Sequence, residues 1–223
     1  MHNITTQKIF DYTVCRILCE NKELYKNKEL TNSVQMVFDS PVVKYRVRQV
    51  VGDSHKSGGY TSVGQPYPLI DLPGAAPLVD WLSEQFLKVK PKICPNKTGN
   101  KILYKRSWSN VMQNGSYGSI HNHTKIDNYI SLAGYESKNF RPDAVGVLYV
   151  NVPENSSNLV FVKNKKGVED QPVEYFVGRE DIYWLNPTEG EFVIHSPNVW
   201  HGVSKHNNEL PRIVFVFDID YVD

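Results

Sequence analysis

The chain reads as a mainly β protein: a double-stranded β-helix, or jelly-roll and cupin-like barrel, with helices and extra strands in front of it. Three observations predict this. From Lys101 onward, short apolar runs alternate with turn residues. The composition is 40% hydrophobic and 12% aromatic, with 13 Tyr, enough for a packed core and pocket walls. Finally, His121 and His123 stand two apart and His201 follows 78 residues later, so only a fold that joins distant strands unites them.

Taken in order, residues 7–30 carry Phe10, Val14, Ile17 and Leu18 at roughly helical spacing and predict a helix. Val34–Phe38 and Val42–Val47 are β-branched and partly alternating, and predict strands. Residues 52–68 are rich in Gly, Ser and Pro and read as a loop, a possible lid that would bring His55 to a substrate. Pro73-Gly74 opens a helix through about Val89, with Leu78, Trp81, Leu82, Gln85 and Phe86 on its buried face. Residues 88–101 are polar and basic and read as a solvated loop.

The strands expected beyond are Ile102–Tyr104, Trp108–Met112, Ala144–Val152, Leu159–Val162, Glu174–Phe176, Ile182–Leu185, Glu191–Ile194 and Arg212–Tyr221. Asn114-Gly115, Pro153-Glu154-Asn155, Asn186 to Gly190 and Ser196-Pro197-Asn198 supply turns. Residues 124–143 look like a polar insertion anchored by Ile130 and Leu132. This divides the chain into an α/β extension over 1–100 that packs on a barrel core over 101–223.

Charge and cysteine usage exclude some classes. Lys+Arg number 25 and Asp+Glu 24, so there is no basic field for wrapping nucleic acid. Cys15, Cys19 and Cys94 are too few for a disulfide framework, and a reducing cytoplasm is expected. Cys15 and Cys19, four apart, would share a helix face in the core. The N-terminus lacks a basic-then-apolar signal, and no apolar run approaches the ~20 residues of a membrane span.

In a strand, residues i and i+2 share a face, so His121 and His123 could reach one metal ion with His201 as a third ligand. The alternative is a pair of hydrogen-bonding histidines at a barrel mouth. Arg212 opens the apolar strand Ile213–Phe217. An unpaired inward guanidinium is costly, and a dianionic ligand would compensate through the bidentate fork. Alternatively, Arg212 sits at the strand end and reaches water.

Trp108-Ser109-Asn110-Val111, Gly115, His121-Asn122-His123, Gly146 to Val150, Trp200-His201-Gly202-Val203 and Arg212 together resemble the iron(II)- and 2-oxoglutarate-dependent oxygenases. The resemblance runs over about residues 101–222 and is greatest to a short branch found in phages and marine bacteria. It implies a hydroxylase that uses Fe(II), 2-oxoglutarate and O2, converts 2-oxoglutarate to succinate, and acts on a small-molecule or peptidyl substrate without a membrane. It implies His121, His123 and His201 as metal ligands and Arg212 as the partner of the co-substrate's distal carboxylate.

Two departures matter. The family's usual His-x-Asp or His-x-Glu is His-x-His here, which leaves the centre one negative charge short unless Asp127 swings in; a bulky His123 also argues against halogenation. The Ser or Thr expected two after the Arg is Val214, so Tyr104, Asn110 or Tyr149 would supply that hydrogen bond. His195 reads as a neighbouring or surface residue, His206 as solvated, and Trp184 and Trp200 as wall or core. Two other readings stay open: a three-histidine cupin-type dioxygenase that needs no 2-oxoglutarate, and a non-catalytic jelly roll used in assembly.

Overall fold

A computed structural model describes residues 4–40, 60–62, 67–124, 141–168 and 173–223. Two antiparallel sheets face each other. The chain forms β1 (Ile4–Ile9), β2 (Tyr12–Leu18), α1 (Glu23–Lys26), α2 (Lys28–Asp39), β3 (Tyr60–Thr61) and α3 (Ala76–Ile93). Then come β4 (Lys101–Met112), β5 (Gly118–His121), β6 (Ala144–Asn151), β7 (Leu159–Val162), β8 (Ile182–Leu185), β9 (Glu191–His195), β10 (Trp200–Val203) and β11 (Arg212–Val222). The major sheet has seven strands in the order β1-β2-β9-β6-β11-β4-β3, and the minor sheet four in the order β5-β10-β7-β8. This is the double-stranded β-helix that the strand spacing predicts.

Alternation sorts the side chains into three layers. Val145, Val147, Tyr149, Val193, Val214 and Val216 of the major sheet meet Leu159, Phe161 and Leu185 of the minor sheet in the interior. On the outer face of the major sheet, Phe192, Ile194, Phe215, Phe217 and Ile219 pack under Leu78, Leu82 and Phe86 of α3. A smaller cluster, Ile120, Val160, Val162 and Val173, backs the minor sheet; Trp184 and Trp200 pack there, outside the interior.

Several expected elements differ. Of the helix expected over residues 7–30, only 23–26 and 28–30 are helical; before them β1 and β2 form a hairpin in which Ile9 faces Tyr12. The turn residue Phe10 takes φ 54°. Val14 points into the interior while Cys15, Ile17 and Cys19 point to the helices, so β2 is apolar on both faces and imitates helical spacing. Cys15 in β2 and Cys19 just after it share that helix-side cluster, not a helix face, and all three cysteines are free thiols.

Val34–Phe38 is helical. Leu30, Val34, Val37 and Phe38 recur four, three and one apart, and the Asn27 side chain caps α2 by accepting from Leu30 N. Glu174–Phe176 lies in a 3-10 turn over Val173–Phe176. Helix α3 runs past Val89 to Ile93, into the expected loop. The expected strands Ile102–Tyr104 and Trp108–Met112 are one continuous β4. Val42–Val47, His55, Asp127, Ile130 and Leu132 lie outside the described residues, as do most of the expected loop 52–68 and insertion 124–143.

Candidate metal centre

β5 is an edge of the minor sheet, and β10 pairs with it so that His201 stands directly opposite His121. Gly202 permits this approach: a Cβ there would lie 2.8 Å from Ile120 Cδ1 and 2.9 Å from Gly118 O. The His121 and His201 rings have centroids 4.5 Å apart.

His123 arrives differently from the simple alternation expected of it. β5 ends at His121. The chain then turns, and His123 N donates to Pro197 O (3.0 Å), within the turn that precedes β10. Its ring lies 5.2 Å from His201 and 5.4 Å from His121. One ligand atom from each of the three rings falls within 4.8 Å of the others; His121 is exposed, and His123 and His201 are buried.

The hydrogen bonds at Nδ1 fix what these rings can offer. His121 Nδ1 faces Ser119 O at 2.9 Å, and His201 Nδ1 faces Val199 O at 3.0 Å. A carbonyl oxygen only accepts, so each Nδ1 carries a proton and Nε2 is the nitrogen left for a metal ion. His123 Nδ1 faces Asp218 Oδ1 at 2.6 Å. Three imidazoles whose Nε2 atoms are left for a metal suit a divalent first-row ion, so the donor set fits ferrous iron. Burial, then the adjacent imidazoles, pushes His201 well below the usual histidine range, which favours the neutral ligand form.

Cross-strand register arranges the interior wall of the major sheet in rows. His195, Val145, Asp218 and Arg106 share one row. Val193, Val147, Val216 and Trp108 form the next, and Tyr149, Val214 and Asn110 the third. Arg212 stands beyond, opposite Met112. The wall is thus polar at the histidine end, apolar at its waist and polar again toward Arg212.

That far end holds orphaned polar atoms. Arg212 is 1% exposed, and its Nε has no hydrogen-bond partner. Its guanidinium lies 4.9 Å from the Tyr149 ring, and Nη1 contacts Met112 Sδ at 3.1 Å. No carboxylate pairs with it among the described residues. The Tyr149 hydroxyl and Asn110 Oδ1 are also buried and unsatisfied. Burial lowers the Arg212 pKa and pushes the Tyr149 phenol up to about 12, so Tyr149 stays a neutral donor. A buried guanidinium beside two unsatisfied polar groups is an anion cradle.

Tyr104 does not join them. Its hydroxyl lies on the helix side of the sheet, 3.0 Å from Ser83 Oγ and 3.3 Å from Val79 O. A bulge opposite Asp218 and Ile219 shifts the register between Arg106 and Tyr104, which puts Tyr104 on the other face. His206 is fully buried, not solvated: its Nε2 meets Leu210 O at 2.8 Å, and its backbone bonds Gly115 and Ser116.

His195 is wholly buried, with its ring 4.8 Å from His201. Its Nδ1 donates to Ser196 O, and its Nε2 has no partner. Burial pushes it down to about 4. Sequence reasoning missed Asp218 and Arg106, and named Trp108 only as part of the stretch Trp108–Val111. Asp218 carried a usable signal, being a carboxylate that directly follows the apolar run Ile213–Phe217 in β11. That is the argument that had singled out Arg212 in the same strand.

Residues 128–218 match the family model described as "Putative 2OG-Fe(II) oxygenase". The match holds His201, Arg212 and Asp218 but begins after His121 and His123, which geometry alone ties to the centre. No protein of curated function matches the chain. Among solved structures, a 2OG-Fe(II) oxygenase family oxidoreductase from Burkholderia pseudomallei is similar at 13% identity and TM-score 0.51, covering 92% of this chain and 84% of that one. HygX from Streptomyces hygroscopicus, with nickel, 2-oxoglutarate and hygromycin B bound, is similar at 10% identity and TM-score 0.51, covering 93% and 82%. EctD from S. alaskensis, with 2-oxoglutarate and 5-hydroxyectoine, is similar at 12% and TM-score 0.50, covering 92% and 71%. These likenesses speak for the fold alone, and the family model adds a match over residues 128–218, less than half of the chain.

Proposed function

We propose that this enzyme hydroxylates a small-molecule or peptidyl substrate, with Fe(II) held by His121, His123 and His201 and 2-oxoglutarate anchored at Arg212. The observation that carries the proposal is the pairing of two incomplete sites across one interior. Three imidazole ligand atoms converge within 4.8 Å, and a buried guanidinium faces the same space without a carboxylate. When bound, ferrous iron with 2-oxoglutarate and O2 supplies an oxidant that replaces a C–H hydrogen by hydroxyl as the keto acid becomes succinate and carbon dioxide.

The chain's own residues bind and orient. Arg212 grips the distal carboxylate, and the Tyr149 hydroxyl and Asn110 Oδ1 are placed beside it; Tyr149 supplies the donor that Val214 lacks. Asn110 Oδ1 is an acceptor, so Asn110 helps the carboxylate only through its amide NH2. Val147, Val193, Val216 and Trp108 form the apolar waist and keep water from the acid's middle. The exposed edge of His121 marks the open side, from which substrate enters. Three free thiols suit a reducing compartment, and we place the protein in the cytoplasm. No helix among the described residues is long and apolar enough to cross a membrane.

Anaerobic titration with Fe(II) and 2-oxoglutarate tests this reading. The wild type should develop a weak visible charge-transfer band, and His121→Ala or His201→Ala should abolish it. Arg212→Ala should raise the 2-oxoglutarate requirement by about 10- to 100-fold, as expected for loss of a charge-assisted pair. If Arg212→Ala leaves that requirement unchanged while iron still binds, a three-histidine dioxygenase that needs no keto acid becomes the better description.

A further inference from the structure

We infer that Asp218 is the acidic member of the metal centre without being a ligand: it positions His123 and supplies, one bond removed, the negative charge that a His-x-His motif lacks. The inference rests on the metal-binding reading above. Its geometry is specific. Asp218 is 0% exposed, and its Oδ1 lies 2.6 Å from His123 Nδ1. Its other oxygen, Oδ2, accepts from Arg106 Nε at 2.7 Å and also from Nη2. Both oxygens are thereby committed, so the carboxylate has a fixed direction and the His123 proton a fixed site. Nε2 of His123 is left toward His121 and His201.

The other two rings are held differently. His121 and His201 each use a carbonyl two residues back in the chain, Ser119 O and Val199 O. A carbonyl is a neutral acceptor. His123 has an ionic one in Asp218, which strengthens its Nε2 as an electron donor.

His123 is also clamped sideways. Its ring stacks on Trp108 (5.9 Å, 24°) and on His201 (5.2 Å, 23°), and Arg106 lies over Trp108 at 5.3 Å. Arg106, Trp108 and Asp218 belong to adjacent strands of the major sheet, whereas His121 and His201 belong to the minor sheet. Asp218 therefore ties the third ligand to the opposite sheet and fixes the distance across the interior.

The test combines metal affinity with a direct view of the proton. Co(II) titration should show Asp218→Asn binding about 10- to 100-fold more weakly than wild type, the usual cost of losing such a carboxylate. In the His123→Ala background, Asp218→Asn should have no further effect, because its influence passes through that ring. In the metal-free wild type, 15N NMR of the histidine rings should show His123 as the Nδ1-protonated tautomer with a strongly downfield proton, and that resonance should move in Asp218→Asn.

Equal affinities of wild type and Asp218→Asn for Co(II), or additive losses in the double variant, would overturn the inference while leaving the metal reading intact. A wild type that binds no Co(II) would instead overturn the metal reading and the inference with it. If Asp218→Asn fails to fold, the tautomer measured in the wild type decides alone: an Nε2-protonated His123 rejects the role.

Discussion

At His195, a single buried ring has a measurable consequence. Its folded pKa is pushed down to about 4 by burial, against an ordinary histidine value near 6.5. The unfolded chain therefore takes up the proton first as pH falls, and stability is lost on acidification through that window. In the metal-free protein the loss is up to about 1.4 kcal/mol per pH unit for each such histidine. Urea denaturation at pH 7, 6 and 5 should show it, and His195→Leu should flatten the curve. His201 moves in the same direction and will contribute to the remaining slope.

Two signals in the sequence led to the site. Arg212 stood as a charge at the head of an apolar strand, and His121, His123 and His201 stood out by their spacing and by the resemblance. Tyr149 and Asn110 were named only as candidates for a missing hydrogen bond, and their orphaned hydroxyl and Oδ1 now stand near Arg212. Tyr104 shows the limit of that reasoning. A single-residue register shift decides which face of a strand a side chain occupies, and no local pattern announces it.

At the level of elements, Gly146 shows how tightly α3 is seated on the sheet. A Cβ there would lie 2.5 Å from the Phe192 ring and 2.7 Å from that of Phe86. Phe86 and Phe192 already pack edge to face at 5.2 Å. Neither can retreat without opening the core, so Gly146→Ala should destabilise by about 1–3 kcal/mol, read as a lower urea midpoint at unchanged slope.

The strands of the second half were legible because turn residues bracket them; Gly190 indeed takes φ 82° and Asn155 φ 56°. The first hairpin was not. Phe10-Asp11 is a two-residue turn without the Gly or Asn that normally marks one, although Phe10 adopts the left-handed conformation. Helix α2 was obscured by its valines, whose β preference is overruled by the cap at Asn27 and by burial of Leu30, Val34 and Phe38.

For the whole molecule, the first hundred residues and the rest share one core. Cys15 and Ile17 of β2, Leu30 and Val34 of α2, and Leu78, Leu82 and Phe86 of α3 pack in the same cluster as Phe192, Phe215 and Phe217. β2 also covers the edge of β9 that would otherwise lie open. A fragment beginning at Lys101 should therefore fail to fold. Its 15N–1H spectrum should be collapsed, while that of the full chain is dispersed.

The sheet order has one more consequence. His121 lies on β5, His201 on β10, and Asp218 on β11, whose two neighbours β4 and β6 come from much earlier in the chain. If the centre is built as proposed, its parts are all present only once β11 has been made, long after β4 and β5. Loading would then follow folding, so protein prepared without iron should be folded and should take up the metal afterwards.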